Sequence, residues 1–328
     1  MSTVVVVGGG YGGVTAATAL DAVADVVLVE PKDAFHHNVA ALRALVDPSF
    51  APRTFLPYDR LLPRGTVVRD LVVAVSSRAV LLASGSRLTA DFVVLATGST
   101  YPFPAKTDRL STSESLTRYR AAHAELARAD HVALLGAGPV GIELVGEIAS
   151  AFPGKRITLV DQADDILPGR YDQRLRDELR GQLDSLSVRL VLGSSSVPAA
   201  DVCFQCHGLA PVTSYLSCDG YLRTTPDLRV AGFDNVYAVG DITAVDANRV
   251  AVARVQAEVV AANIMARLAG TEEVVAYAPL PTSIIVPLGP HGGAGQRDNG
   301  DLLPADVVSA VKGGDMFIDR YRRLFNRP

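Results

Sequence analysis

Two glycine strings carry the clearest chemistry in this 328-residue chain: Gly8-Gly9-Gly10-Tyr11-Gly12-Gly13 and Gly136-Ala137-Gly138-Pro139-Val140-Gly141. Both read G-x-G-x-x-G. At that spacing the first glycine turns tightly, the second lets the backbone approach a pyrophosphate, and the third lets a helix pack on a strand. Gly8, Gly10 and Gly13, and Gly136, Gly138 and Gly141, are therefore candidate phosphate-cradling residues. An acid follows each string, Glu30 at 22 residues after Gly8 and Asp161 at 25 after Gly136, placed to accept from ribose hydroxyls.

Outside those strings the reactive side chains are few. Cys203 and Cys206 form a C-x-x-C pair, a spacing used for redox chemistry or metal binding. They lie in the apolar run Val202-Cys203-Phe204-Gln205-Cys206, which reads them as small packing residues. Six histidines show no metal-ligand spacing, so no metal is expected. His36 and His37 are adjacent and, on a strand, point to opposite faces. Either one faces a cofactor while the other packs or reaches solvent, or both belong to a polar loop. His207 either contacts a nucleotide or caps a turn. Glu143 follows Gly141 by two residues, where the helix dipole stabilises an acid whether or not it does chemistry. Lys312 stands near a basic terminal segment, where the plain reading is a solvated ammonium.

The elements that must position these residues repeat once. Val4 to Val7 is a short β-branched strand, Val14 to Leu20 an alanine-rich helix, and Val26 to Val29 a second strand ending at Glu30. The same grammar returns with strand His131 to Leu135, helix Ile142 to Ala149 and strand Ile157 to Val160 ending at Asp161. The copies lie 128 residues apart, which is domain duplication and not a short repeat. Two further strands end in glycine, Phe92 to Ala96 before Thr97-Gly98 and Val236 to Val239 before Gly240-Asp241. A helix is expected from about Val250 to Leu268, then a proline- and glycine-rich segment and a terminal helix.

Length suits two or three units, and 48% hydrophobic residues supply their cores. A net charge of −4 and no tryptophan argue against nucleic-acid binding. No apolar run reaches the roughly 18 to 20 residues of a membrane span, and no secretory signal opens the chain. Three cysteines give no disulfide framework. A cytoplasmic location is expected.

With both fingerprints in place, the chain resembles the two-dinucleotide-domain flavoproteins of the pyridine nucleotide-disulfide oxidoreductase superfamily. The likeness also rests on Ala96-Thr97-Gly98, on the altered counterpart Gln205-Cys206-His207-Gly208, on Val236-Tyr237-Ala238-Val239-Gly240-Asp241, and on their order around the second fingerprint. Narrower strings look like the apoptosis-inducing-factor-like ferroptosis suppressor proteins: Phe35-His36-His37-Asn38-Val39-Ala40-Ala41-Leu42-Arg43-Ala44, Gly98-Ser99-Thr100-Tyr101-Pro102-Phe103-Pro104, Val286-Pro287-Leu288-Gly289-Pro290 and Val311-Lys312-Gly313-Gly314-Asp315-Met316-Phe317. The chain departs from the animal proteins in having Ser2 where myristoylation needs glycine.

The resemblance implies an α/β protein of two Rossmann-like domains with a small C-terminal α+β module. FAD is expected in residues 1–112 and 229–270, NAD(P)H in 113–228, and a flavin-covering, acceptor-binding or dimer-forming module in 271–328. It adds Lys32, His37, Arg43, Val73, Ala96, Thr97, Gly98, Gly208, Gly240 and Asp241 to the cofactor-binding set, with Asp241 on the flavin ribityl chain. Glu143 becomes a proton-transfer candidate and Lys312 a cation beside the flavin. Asp161 would bond a free 2′-hydroxyl and repel a 2′-phosphate, and Gln162, Ala163 and Asp164 bring no arginine. NADH is the expected donor, with NADPH the alternative if Arg156 or Arg170 reaches inward.

The implied activity is an NAD(P)H:quinone oxidoreductase related to the type II NADH dehydrogenases, hydride passing from nicotinamide to flavin and two electrons to a quinone. The same domains would also serve a reductase of a protein such as ferredoxin, a biosynthetic flavoenzyme, or an NADH-sensing interaction protein. In the tail, Phe317, Tyr321, Leu324 and Phe325 are spaced i, i+4, i+7, i+8 beside Arg320, Arg322, Arg323 and Arg327. Such a helix either docks on its own protein or a second subunit, or lies peripherally on an anionic membrane.

Overall fold

The computed structural model describes residues 1–216, 218, 220–247, 249–271 and 273–326, so Arg327 lies outside the described residues. Two parallel sheets repeat one plan. The first has the strand order Val236–Ala238, Phe92–Leu95, Thr3–Val7, Asp25–Val29, Thr66–Val68. The second runs Val202–Gln205, His131–Leu135, Arg156–Val160, Arg189–Val191. In both, the fingerprint strand lies between the strand that ends in an acid and the strand that ends in glycine. The registers correspond: Val7 faces Val29 and Leu95, and Leu135 faces Val160 and Gln205. Parallel strands covered on both faces explain why the valine run does not alternate with polar residues. Val4 and Val6 pack into one apolar cluster with Leu28 and Val94, while Val5 and Val7 pack into another with Val29 and Leu95.

The helices that follow the two fingerprints, Tyr11–Leu20 and Pro139–Ala151, start from Gly10 and Gly138 without a side-chain cap. Helices Thr112–Arg128 and Gln173–Ser185, by contrast, are capped by Ser111 and Asp172. Uncapped helix starts leave N–H donors and the positive dipole end for an anion. Helix Val250–Leu268 packs along Tyr11–Leu20 through Ala257, Val260, Ala261 and Ile264.

The C-terminal segment forms an antiparallel sheet, Ile284–Leu288, Gly292–Gln296 and Leu302–Leu303. It sits on helix Pro139–Ala151 so closely that a Cβ at Gly146 would lie 2.3 Å from the Gly289 nitrogen. On another side the same helix shares a core with Leu42 and Leu45 of helix Ala41–Val46. Pro139–Ala151 is therefore the element that both the C-terminal sheet and helix Ala41–Val46 pack against. Among the described residues no helix is long and apolar enough to cross a membrane.

The tail helix corrects one expectation. It spans Ile318–Leu324, and Phe317 precedes it in the left-handed region at φ 62°. Asp315 enforces this by accepting from the N–H groups of Phe317 and Asp319. Phe317 and Leu324 still pack against the core with the buried Tyr321 and Phe325, so the apolar face of the tail packs on its own chain.

Candidate active site

Each fingerprint turn separates packing from access. At Gly8 (φ 99°) a Cβ would meet the Ala96 carbonyl oxygen at 2.6 Å, and at Gly136 (φ 115°) the Cys206 carbonyl oxygen at 2.8 Å. At Gly13 and Gly141 it would lie 1.8 and 1.9 Å from the oxygens of Gly8 and Gly136. At Gly10 and Gly138 it would meet nothing within 4 Å. The first and third glycines are thus obligatory for packing. The second opens onto free space beside an uncapped helix, which is the cradle a pyrophosphate needs. Both turns fit a dinucleotide on this chain's own geometry.

The acids close the turns symmetrically. Glu30 accepts from the N–H of Gly9 at 2.6 Å and of Lys32 at 3.1 Å. Asp161 accepts from Ala137 at 2.6 Å and from Ala163 at 2.8 Å. A cleft of about 530 Å³ at the first turn is lined by Gly8, Glu30, Lys32, Val73, Thr97 and Lys106, among others. A cleft of about 280 Å³ at the second is lined by Gly136, Asp161, Gln162, Ser194, Ser195 and His207. The first falls within, and the second just below, the usual range for small-ligand pockets.

Thr97, between Ala96 and Gly98, donates its hydroxyl to Val212 O at 2.6 Å and pairs with the Tyr215 hydroxyl at 2.8 Å. The matching residue of the second copy, His207 before Gly208, is exposed on the cleft wall. Gly240 is held to the long helix through Gln256, whose side-chain oxygen accepts from the Gly240 N–H at 2.7 Å. Asp241 accepts from the Ser99 hydroxyl and from Lys106 Nζ, the latter at 3.4 Å. Burial lowers the Lys106 pKa, and Asp241 offsets that by favouring the ammonium. Sequence reasoning missed Lys106: it follows the Pro102-Phe103-Pro104 string, and nothing in its spacing marks it.

Glu143 and Lys312 meet. Lys312 Nζ donates to Glu143 Oε1 at 2.7 Å and to Ile285 O at 3.3 Å, with both side chains largely buried. Burial pushes the Glu143 carboxyl above its ordinary range, and Lys312 pulls it back. Lys312 is therefore not the solvated lysine of the plain reading. A second buried pair lies beside this one. Arg43 grips Glu147 with Nε at 3.0 Å and Nη2 at 2.7 Å, and its Nη1 donates to Gly314 O at 2.8 Å. All three nitrogens of Arg43 are thus engaged with protein. Glu147 was overlooked, although its position one helical turn after Glu143 is a signal the sequence carries.

His36 ends the strand Ala34–His36 and His37 follows it at the start of the next turn; their rings part, yet neither reaches solvent. His36 stacks on Phe55 at 4.4 Å, and burial lowers its pKa to about 3. His37 sits 4.5 Å from the Tyr321 ring. Its Nε2 donates to Met316 O at 2.7 Å, because a carbonyl can only accept. Burial lowers the His37 pKa to about 4, so the ring is neutral and Nδ1 accepts from the Tyr11 hydroxyl at 3.1 Å. That hydroxyl in turn accepts from Val39 N at 3.2 Å. Met316 O, Gly314 O and Lys312 thereby fasten the tail to His37, Arg43 and Glu143.

The C-x-x-C pair has no redox geometry. Cys203 lies on the edge strand and is exposed, against the packing expectation, while Cys206 is buried. Three steps of extended chain separate them by roughly 10 Å, beyond the reach of a disulfide. Burial also pushes the Cys206 thiol up to about 12, away from a reactive thiolate.

The chain is similar to known proteins in sequence and in fold. Ferroptosis suppressor protein 1 of Xenopus tropicalis is 32% identical over 97% of this chain and 94% of its own length. The human protein of that name is 30% identical over 96% of this chain and 93% of its own. Among solved structures, NDH2 from Plasmodium falciparum in complex with NADH superposes with a TM-score of 0.75 at 12% identity, covering 100% of this chain and 99% of that one. The sulfide:quinone oxidoreductase of Aquifex aeolicus gives 0.76 at 14% identity, covering 99% and 92%. The sequence pattern described as pyridine nucleotide-disulphide oxidoreductase matches residues 2–258, and the chain belongs to that family.

Proposed function

We propose that this chain is an FAD-dependent NADH oxidoreductase whose acceptor is a quinone. The observation that carries the reading is the paired open cradle, Gly10 and Gly138, with a buried pair between Glu143, on the helix that starts at the second cradle, and Lys312 of the tail. Residues 1–112 and 229–270 would hold FAD, 113–228 NADH, and 271–328 would cover the flavin. Bound FAD would supply the two-electron chemistry, accepting hydride and returning electrons to the acceptor.

The chain's own residues bind, orient and move protons. The Gly10 turn and the N-terminus of Tyr11–Leu20 receive the FAD pyrophosphate, with Glu30, Lys32 and Val73 at its adenosine end. Asp241, steadied by Ser99 and Lys106, orients the ribityl hydroxyls. Asp161 exchanges its backbone hydrogen bonds for the ribose of NADH and disfavours a 2′-phosphate. Lys312 holds Glu143 Oε1, which leaves Oε2 to take or give the proton that accompanies quinone reduction.

The quinone class is supported by the strings shared with the ferroptosis suppressor proteins. Steady-state oxidation of NADH and NADPH by the purified yellow protein, with a soluble ubiquinone or menaquinone analogue, tests it. Turnover on the order of 1 to 1,000 per second with NADH preferred is expected. Flavin that is reduced by NADH but not reoxidised by quinone would overturn the acceptor, and absence of flavin would overturn the whole reading.

A further inference from the structure

Arg43 and Glu147 form a buried pair joined by two hydrogen bonds, and the proton-transfer step proposed above does not use them. The structure assigns them one: Arg43 and Glu147 are positioning residues that set the electrostatic environment of Glu143, Glu147 by placing a second carboxylate one helical turn away and Arg43 by cancelling it. This inference rests on Glu143 being the proton-transfer group proposed above.

Glu143 and Glu147 are separated by four residues on helix Pro139–Ala151, hence on one face. Both are buried, at 8% and 3% exposure. Two carboxylates so close in a poorly solvated place disfavour each other's ionisation. The protein answers with two cations from two other parts of the chain, Lys312 on Glu143 and Arg43 on Glu147. The fork of Arg43 uses both carboxylate oxygens of Glu147, the geometry that arginine provides and lysine does not. Its third contact, Gly314 O, lies two residues beyond Lys312, so the same guanidinium also fixes the turn that delivers the lysine.

The charged groups facing Glu143 are thus Lys312 from the tail turn, Glu147 from its own helix and Arg43 from helix Ala41–Val46. Lys312 in turn acts on the neutral His37, where Asp315 opposes it. Glu147 pushes the Glu143 carboxyl up, and Arg43 pulls it down.

The test exploits this opposition. If the pair were only a brace, removing either member would loosen the tail turn and move the Glu143 titration in one direction. If it tunes Glu143, Glu147→Gln leaves the Arg43 charge uncompensated and lowers the pH of that titration, whereas Arg43→Gln leaves the Glu147 charge and raises it. Each shift should be roughly one pH unit. The double variant should return close to wild type, which also covers the case in which a single variant folds poorly. Arg43→Lys, which keeps the charge but loses the fork, should titrate nearer to wild type than Arg43→Gln.

The readout is carboxyl carbon-13 NMR of the glutamate-labelled holoprotein, the Glu143 signal being identified by its loss in Glu143→Gln. Opposite shifts with recovery in the double variant bear the inference out. Shifts of the same sign, or no shift in either single variant, overturn it. The titration does not depend on turnover: a protein that oxidises no NADH would defeat the proposed function, and the NMR shifts would still decide whether this pair tunes Glu143.

Discussion

Lys312 and Glu143, 169 positions apart in the chain, form a buried ion pair in which the lysine Nζ donates to Glu143 Oε1 at 2.7 Å. The contact joins the tail turn to the helix of the second fingerprint. Removing one partner from such a pair leaves a charge without solvent or counterion, a loss of about 3–5 kcal/mol. Lys312→Met should therefore destabilise by that order in urea unfolding. Lys312→Met combined with Glu143→Gln should recover most of the loss, because no buried charge is then orphaned. Equal costs for the single and double variants would show that the charge pairing contributes nothing.

The sequence announced each half of this contact and not the contact itself. Glu143 was marked by its distance from Gly141, and Lys312 by a tail string shared with known proteins. Their meeting depends on how the C-terminal sheet lies on helix Pro139–Ala151, where Gly146 lets the Gly289 backbone come close, and no spacing rule encodes that. The repeated strand–turn–helix units were legible because period and punctuation are local signals. The left-handed turn at Met316 and Phe317 was not, since Asp315 and the long-range bond from His37 to Met316 O impose it. Arg43 illustrates the same limit: nothing in its string marks the three hydrogen bonds it makes to Glu147 and Gly314.

Asp161 offers a sharp test of donor choice. Its carboxylate already accepts from the Ala137 N–H at 2.6 Å, so it stands where a ribose hydroxyl would replace that bond. Gln162 lines the same cleft. Asp161→Ala with Gln162→Arg removes the repulsive charge and adds a guanidinium for a 2′-phosphate. The ratio of kcat/KM for NADPH to that for NADH should rise on the order of 100-fold or more, about 1.4 kcal/mol for each tenfold. An unchanged ratio, measured with both nucleotides and one quinone, would remove Asp161 from the donor site.

Gly138 and Gly141 should respond to alanine in opposite ways. The added methyl at Gly138 meets no protein atom within 4 Å, and its φ of −75° suits any residue, so Gly138→Ala should keep its thermal midpoint. The methyl would instead fill the space through which a pyrophosphate approaches, raising the KM for NADH roughly 10-fold or more. At Gly141 the methyl would lie 1.9 Å from Gly136 O, so Gly141→Ala should lower the midpoint before it alters any kinetic constant. A Gly138→Ala protein with an unchanged KM would show that the nucleotide does not approach this turn.

His36 makes stability depend on pH in a defined direction. Its ring is stacked on Phe55 in the core, and burial brings its pKa down from 6.5 to about 3. The unfolded chain therefore binds a proton between those values that the folded chain refuses. The stability contributed by the neutral ring is complete above pH 6.5 and is lost as pH falls towards 3. Carboxylates titrate over part of the same range, so the comparison must be differential. His36→Phe keeps a flat, stacked ring and cannot take the proton. Between pH 7 and pH 4.5 the unfolding free energy of wild type should fall by about 2–3 kcal/mol more than that of His36→Phe. Parallel pH curves for the two proteins would mean that the His36 ring is protonated or hydrated in the folded state, and that the core around Phe55 is more open than its packing indicates.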